Sequence, residues 1–279
     1  MSPTRAAKPD PTRRPYLGYR DHDGDTPFGR YFTQEMAPLA EHAAQAVTVG
    51  ALAPPLLTAL EDAPDLLDGE ATTENGLTVD ADGSIVVALR TPMPGVTPAM
   101  WDWWFGWHGS DSRRYKLWHP RAHLYAHWDD GDDAGRRGRN RYVGRTSFVD
   151  EYLGSTLAKA SIRFVAPAEL GFDESRLTDQ TAICARTGSS QFPVDIGWLV
   201  HHVRPTDDGC EMRSRFWLGG RHAAPRTPSP VLDRVVPRAA NRALRLTARS
   251  AADLLVHCAQ EMGHLAGFLA ELHAEFGDE

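Results

Sequence analysis

Apolar and polar positions follow two regimes along this chain. From about Thr78 to Leu218 the apolar residues recur in short, strand-length runs, and from about Pro237 to Phe276 they recur every three or four residues. The first pattern suits strands with one or both faces buried, and the second suits an amphipathic helix. Thr78–Leu89 (TVDADGSIVVAL) predicts a hairpin turning at Asp82-Gly83. Arg145–Leu153, Ala160–Val165 and Thr181–Arg186 predict strands by their β-branched and aromatic content. Asp195–Val203 and Glu211–Leu218 predict an antiparallel pair around Asp207-Asp208-Gly209. Ahead of them, residues 31–65 predict helical pieces broken at Pro54 and Pro55. Helices, then many strands, then a long terminal helix imply α+β with an antiparallel sheet rather than βαβ units. Residues 1–30, rich in Pro, Arg, Asp and Gly, predict a weakly ordered tail. The expected organisation is thus a tail over 1–30, a small N-terminal helical part over 31–75 and one domain over 76–279.

Composition narrows the function classes. The 279 residues are enough to bury a core without disulfide staples. A net charge of −7 argues against a nucleic-acid partner. Cys184, Cys210 and Cys258 lie far apart with no CxxC pair, which excludes a disulfide framework and a thiolate zinc knuckle. No secretory h-region and no 18-residue apolar run is present, so the expectation is a cytoplasmic protein without a membrane partner. No GxGxxG, Walker A or GxSxG motif is present either.

Six of the eight tryptophans and four of the twelve histidines (His108, His119, His123, His127) fall between Trp101 and Trp128. Such a mixture suits either the wall of a pocket for a flat ligand or an aromatic core under a sheet. Asp129–Arg141 (DDGDDAGRRGRNR) is a charge run expected to be a solvated loop.

The terminal helix carries the sharpest chemical signal. Leu254, Cys258, Met262, Leu265, Phe268, Leu269 and Leu272 form an apolar stripe, and His257 and Glu261 lie on it four residues apart. A carboxylate on a buried face is costly unless paired or bound to a metal. His-x-x-x-Glu can offer nitrogen and oxygen to one ion, or it can be a plain buried hydrogen bond. His264 sits one turn further as a spare candidate. Further ligands would come from His119 or His123 and from Asp150 or Glu151, which point to opposite faces of a strand. Spacing alone leaves that choice open.

Five segments taken together resemble the 2,4-diacetylphloroglucinol hydrolases and the related phloretin hydrolases. They are MWDWWFGWH (Met100–His108), YKLWHPRAH (Tyr115–His123), DEYLG (Asp150–Gly154), MRSRFW (Met212–Trp217) and HCAQEMGHLAGFL (His257–Leu269). The resemblance spans roughly residues 90–270. It implies a Bet v 1-like helix-grip fold, a curved antiparallel sheet around a long C-terminal helix with a small N-terminal helical part. It implies one zinc ion per chain, held by two His and two Glu that map to His123, Glu151, His257 and Glu261. It also implies Tyr115 as a pocket phenol and one of His201 and His202, with His201 preferred, as a catalytic histidine. Two departures stand out: a polar residue after the first histidine ligand appears here as Ala126 or His127, and a second tyrosine falls near Phe216. A homodimer supported by the N-terminal segment is a further implication.

The implied reaction is hydrolysis of the C–C bond between a polyhydroxylated ring and its acyl group. Zinc would polarise the carbonyl or lower the pKa of bound water, and Tyr115 and His201 would transfer protons or bind phenolic oxygens. Trp103, Trp104, Trp107 and Trp118 are candidates to sandwich the ring, with His202 and Phe216 as further substrate contacts. Two other readings compete: a zinc enzyme acting on non-aromatic diketones or phenolic acids, and a non-catalytic carrier of hydrophobic aromatic ligands.

Overall fold

A computed structural model describes residues 15–131, 135–227, 231, 235–239 and 246–278. Its frame is a sheet of ten strands: β1 (Ala51–Leu52), β2 (Gly76–Val79), β3 (Ile85–Pro94), β4 (His123–Trp128), β5 (Thr146–Leu153), β6 (Thr156–Val165), β7 (Thr181–Ser189), β8 (Val194–Thr206), β9 (Gly209–Leu218) and β10 (Ala224–Pro225). The order is β1-β2-β3-β9-β8-β7-β6-β5-β4, with β10 paired to β8. Every pairing is antiparallel except the short β1–β2 contact. Helices that accompany the sheet include α1 (Glu41–Val49), α2 (Pro98–Trp107), α3 (Ser112–Trp118), α4 (Ala248–Ala266) and α5 (Leu269–Phe276). The α+β class expected from the order of elements is the class observed.

Strand alternation divides the core between two faces of the sheet. Val87 and Leu89 of β3, Ile183 of β7, Leu199 of β8 and Phe216 of β9 face inward onto α4, which brings Leu254, Leu255, Cys258, Met262 and Leu265. Their neighbours Val86, Ala88, Cys184, Val200 and Trp217 face the opposite way and are covered by Leu57, Ala63 and Leu66 of the N-terminal part. The N-terminal part is thus a cover for the outer face and adds a strand to the sheet. The expected turns are found: Gly83 takes φ +81° between β2 and β3, and β8 and β9 are joined through Asp207-Asp208.

Several elements differ from the sequence expectation. Residues 1–14 of the expected tail lie outside the described residues, while within residues 15–30 Gly18, Asp23 and Phe28 are buried. Phe28 is buried edge-on against Trp107 and Phe276, and the buried Lys116 ammonium donates to the Gly18 carbonyl at 2.9 Å. These contacts come from residues about 90 and 250 positions away, which no local pattern reveals. The terminal helix begins at Ala248, where Thr247 and Ser250 form a capping box, and is divided at Gly267-Phe268 into α4 and α5. The Asp129–Arg141 charge run has residues 132–134 outside the described residues. Its far end is anchored, with Arg139 donating to the Ala182 carbonyl at 2.8 Å and to the Tyr142 hydroxyl at 3.3 Å. Among the described residues no helix is long and apolar enough to cross a membrane.

Candidate metal centre

Three elements converge under the inner face of the sheet. His123 opens β4 directly after α3, and Glu151 of β5 lies opposite it in register. A bulge between His123 and Tyr125 resets the pleat at that point. His257 and Glu261 stand one turn apart on α4, both buried. His123 Nε2 lies 3.3 Å from His257 Nε2, 3.4 Å from Glu261 Oε2 and 3.5 Å from Glu151 Oε2. His257 Nε2 lies 3.7 Å from each of the same two carboxylate oxygens.

Hydrogen bonds fix which nitrogen is available. His123 Nδ1 lies 2.9 Å from the Tyr115 backbone carbonyl. A carbonyl only accepts, so Nδ1 donates and Nε2 is left as a bare lone pair. The ring of His123 also stacks on Tyr115, with centroids 3.7 Å apart and planes 3° apart. The Tyr115 hydroxyl donates to Glu151 Oε2. His257 hydrogen-bonds to the backbone of Tyr152. Tyr115 of α3 therefore orients both His123 and Glu151, and Tyr152 of β5 orients His257.

Burial sets the electrostatics. It pushes the His257 imidazole down to about 4 and the His123 imidazole well below the usual range, the latter aided by neighbouring His257 and His119. Both rings are neutral at neutral pH, as metal ligation requires. Burial also raises the Glu261 carboxyl well above its ordinary value, with the Glu151 charge adding to it. Glu151 is raised by burial too, against the opposing pull of the Tyr115 phenol. Among the described residues no lysine or arginine pairs with either glutamate. Two bare imidazole nitrogens facing two uncompensated carboxylates form a donor set that a cation would complete. Metal–ligand bonds of about 2.0–2.2 Å in a tetrahedron place ligand atoms about 3.3–3.6 Å apart. The five separations above run from 3.3 to 3.7 Å. The buried group His123, His257 and Glu261 can hold a metal ion.

The other candidates fall around this centre at different distances. Asp150 points to the opposite face of β5 and pairs with Lys159 at 3.3 Å. His119 stacks on His257 with centroids 4.8 Å apart, and His264 is buried further along α4. His127 is half-buried on β4 and takes no part in the cluster. Trp118 reaches His123 with centroids 5.6 Å apart, and Trp104 stands behind Trp118 at 5.9 Å. Trp107 is packed instead against Trp103, Phe28 and Phe276. His201 faces inward between Phe105 and Phe216, with centroids 5.9 and 5.6 Å away. His202, expected beside it as a substrate contact, is on the outer face. There its Nε2 meets Gln180 Oε1 at 2.7 Å. One residue of strand reverses the face, so both cannot line the same site. His108, one of the four histidines of the aromatic segment, lies beside the cluster. It is buried, with Nδ1 2.8 Å from the Trp104 carbonyl, and stacks on Tyr115 at 5.8 Å. A cavity of about 550 Å³ opens on the outer face between Leu57, Leu66, Thr78, Val86 and Arg213, and none of the metal-centre residues lines it.

With this geometry in place, comparison with known proteins is decisive for the family. The model of the DAPG hydrolase PhiG domain matches residues 56–274. The chain belongs to the DAPG hydrolase family. It is 30% identical over 264 residues to a 2,4-diacetylphloroglucinol hydrolase of Pseudomonas protegens, covering 90% of this chain and 85% of that one. It is also 30% identical over 215 residues to a phloretin hydrolase of Eubacterium ramulus, covering 74% and 77% respectively. Likeness to solved structures is low, as with human STARD10 at a TM-score of 0.31, 12% identity, and 76% and 84% coverage.

Proposed function

We propose that this chain is a zinc-dependent hydrolase that cleaves the C–C bond between a polyhydroxylated aromatic ring and its acyl group. The observation that carries the reading is the buried convergence of His123, His257 and Glu261, joined by Glu151, in a member of this family. The four side chains would hold the ion, which when bound supplies a Lewis acid for a carbonyl oxygen or for water. The overall reaction consumes one water: the aryl–acyl bond breaks, the ring carbon gains hydrogen and the acyl carbon gains hydroxyl.

The chain's own groups supply the rest. Burial, and then the adjacent Glu151 charge, hold the Tyr115 phenol well above its usual pKa, so it stays protonated as a donor beside the ligands. Burial pushes the His201 imidazole down to about 3, so the resting ring is neutral with a free lone pair, and negative charge developing on a bound substrate would have to raise its basicity before it took a proton. Trp118 and the aromatic layer behind it exclude water and offer flat faces to a ring. Phe216 beside His201 is apolar, which favours a substrate without a polar group at that side.

The test is metal analysis of the purified protein by mass spectrometry, run with chromatographic assay of mono- and diacetylphloroglucinol and phloretin. About one zinc per chain and turnover abolished by chelator support the proposal. A metal-free protein, prepared under metal-preserving conditions, that binds polyphenols without turnover would establish the carrier instead.

A further inference from the structure

The outer face of the sheet carries an excess of positive charge that the metal centre does not use. Strand alternation turns Ala185 of β7 inward and its neighbours Cys184 and Arg186 outward, beside Trp198 of β8. Arg163 of β6 stands directly opposite Arg186 in the strand register. Like charges set directly opposite each other destabilise a sheet unless something compensates them. The compensation is Asp195 of β8, whose Oδ2 lies 3.3 Å from Arg163 Nη2 and 3.3 Å from Arg186 Nε. A third guanidinium closes on the same carboxylate, with Arg226 Nε 2.9 Å from Oδ1. It fits because residue 188 is glycine: a Cβ there would stand 2.5 Å from Arg226 Nη2 and 2.9 Å from Asp195 Oδ1.

Three positive charges thus meet one negative charge. Among the described residues no second carboxylate pairs with any of the three. Water screens the excess poorly, because Arg186 is 7% and Asp195 6% exposed. The donors are only partly used. Arg226 Nη2 is taken by Ser161 Oγ and the Ser189 carbonyl. Arg163, by contrast, donates only through Nη2 and Arg186 only through Nε, among the described residues. The terminal nitrogens of Arg186 are not sealed from solvent, although the residue as a whole is buried. The Arg163 side chain is 47% exposed and leaves the group open on its side.

We propose that Arg163, Arg186 and Arg226 form a binding site for a small oxyanion, a carboxylate or a phosphate. A guanidinium presents paired N–H donors whose spacing matches two oxygens of either group. An oxyanion here takes up the unused donors of Arg163 and Arg186 and offsets the excess charge that Asp195 leaves. The site lies on the face of the sheet opposite the metal centre, so it goes beyond the hydrolytic reading and does not depend on it.

The test is isothermal titration calorimetry of the purified protein with inorganic phosphate and, separately, with acetate. Ionic strength is held constant with chloride, because screening alone alters charge–charge attraction. The variants are Arg163→Gln, which removes an exposed guanidinium, and Asp195→Asn, which removes the competing carboxylate. Saturable binding of at least one of the two anions is expected, weakened roughly tenfold in Arg163→Gln and tightened in Asp195→Asn. Which anion binds identifies the group the site takes. Absence of saturable binding by both anions overturns the proposal. Binding that Arg163→Gln leaves unchanged overturns it too, because the anion then sits elsewhere, as at the metal centre. Should Asp195→Asn fail to fold, Arg163→Gln decides by itself.

Discussion

Replacing Glu261 by glutamine separates the cost of burying its carboxylate from the use made of it. The side chain is 7% exposed and has no cationic side chain beside it among the described residues. Its nearest polar partners are the bare Nε2 atoms of His123 and His257, 3.4 and 3.7 Å away. Burial and the Glu151 charge already raise its carboxyl well above the ordinary value, and the two facing acceptors repel the ionised form, whereas a glutamine amide donates to them without first taking up a proton. In the metal-free protein, Glu261→Gln is therefore expected to raise the unfolding free energy by about 1–3 kcal/mol. For a chain of this size that corresponds to a rise in Tm of about 2–10 °C. Zinc reverses the order. At one hundred times its Kd, a ligand that binds only the folded state stabilises by about 2.7 kcal/mol. Wild type gains this, and the variant, with one charged ligand removed, gains little. The assay is thermal and urea unfolding of both proteins, first in chelator and then in saturating zinc. A Glu261→Gln protein less stable than wild type in chelator would refute the reasoning. Equal stabilisation of both proteins by zinc would refute it as well.

Glu151→Gln is expected to lose bound metal and turnover, while Asp150→Asn keeps turnover within about twofold, because Asp150 faces Lys159 on the other side of the strand. Metal content and product formation measured on both variants check this, and loss confined to Asp150→Asn would reverse the assignment. Burial pushes the Glu74 carboxyl up, but the adjacent Arg213 and Arg215 guanidiniums override it and hold it at about 2, against 4.5 for the free side chain. Its contribution is thus fully present above about pH 5 and is lost as pH falls toward 2, to at most about 3 kcal/mol. Urea titrations at pH 7 and pH 3 should show the wild type losing this stability, and Glu74→Gln, already weakened by two unpaired buried guanidiniums, losing less between the two pH values. Thr247→Ala removes the capping box of α4 and should cost about 1 kcal/mol in chemical denaturation.

Much of this architecture is legible in local pattern. The hairpin at Gly83, the β8–β9 pair and the apolar stripe of α4 follow from periods of two and 3.6 residues, which neighbouring residues alone establish. The same arithmetic stacks His257 on Glu261, because four residues complete about one helical turn. Local pattern does not reveal the contacts of Gly18 and Phe28, which are made with Lys116, Trp107 and Phe276. It also runs the last helix across Gly267, where the chain breaks between α4 and α5.

What the amino-acid order determined by itself is the class of elements and which residues of one element share a face. The tertiary structure decided which faces meet. The pairing of β4 with β5, through a bulge at His123, brings Glu151 rather than Asp150 to the imidazoles. The pairing of β8 with β9 sets His201 beside Ser214 and sends His202 to the outer face. These outcomes depend on strand register and on the docking of α4, which join residues more than a hundred positions apart, as with His123 and His257. Periodicity is a property of neighbours in sequence. Register is settled only when the whole sheet closes on its helix.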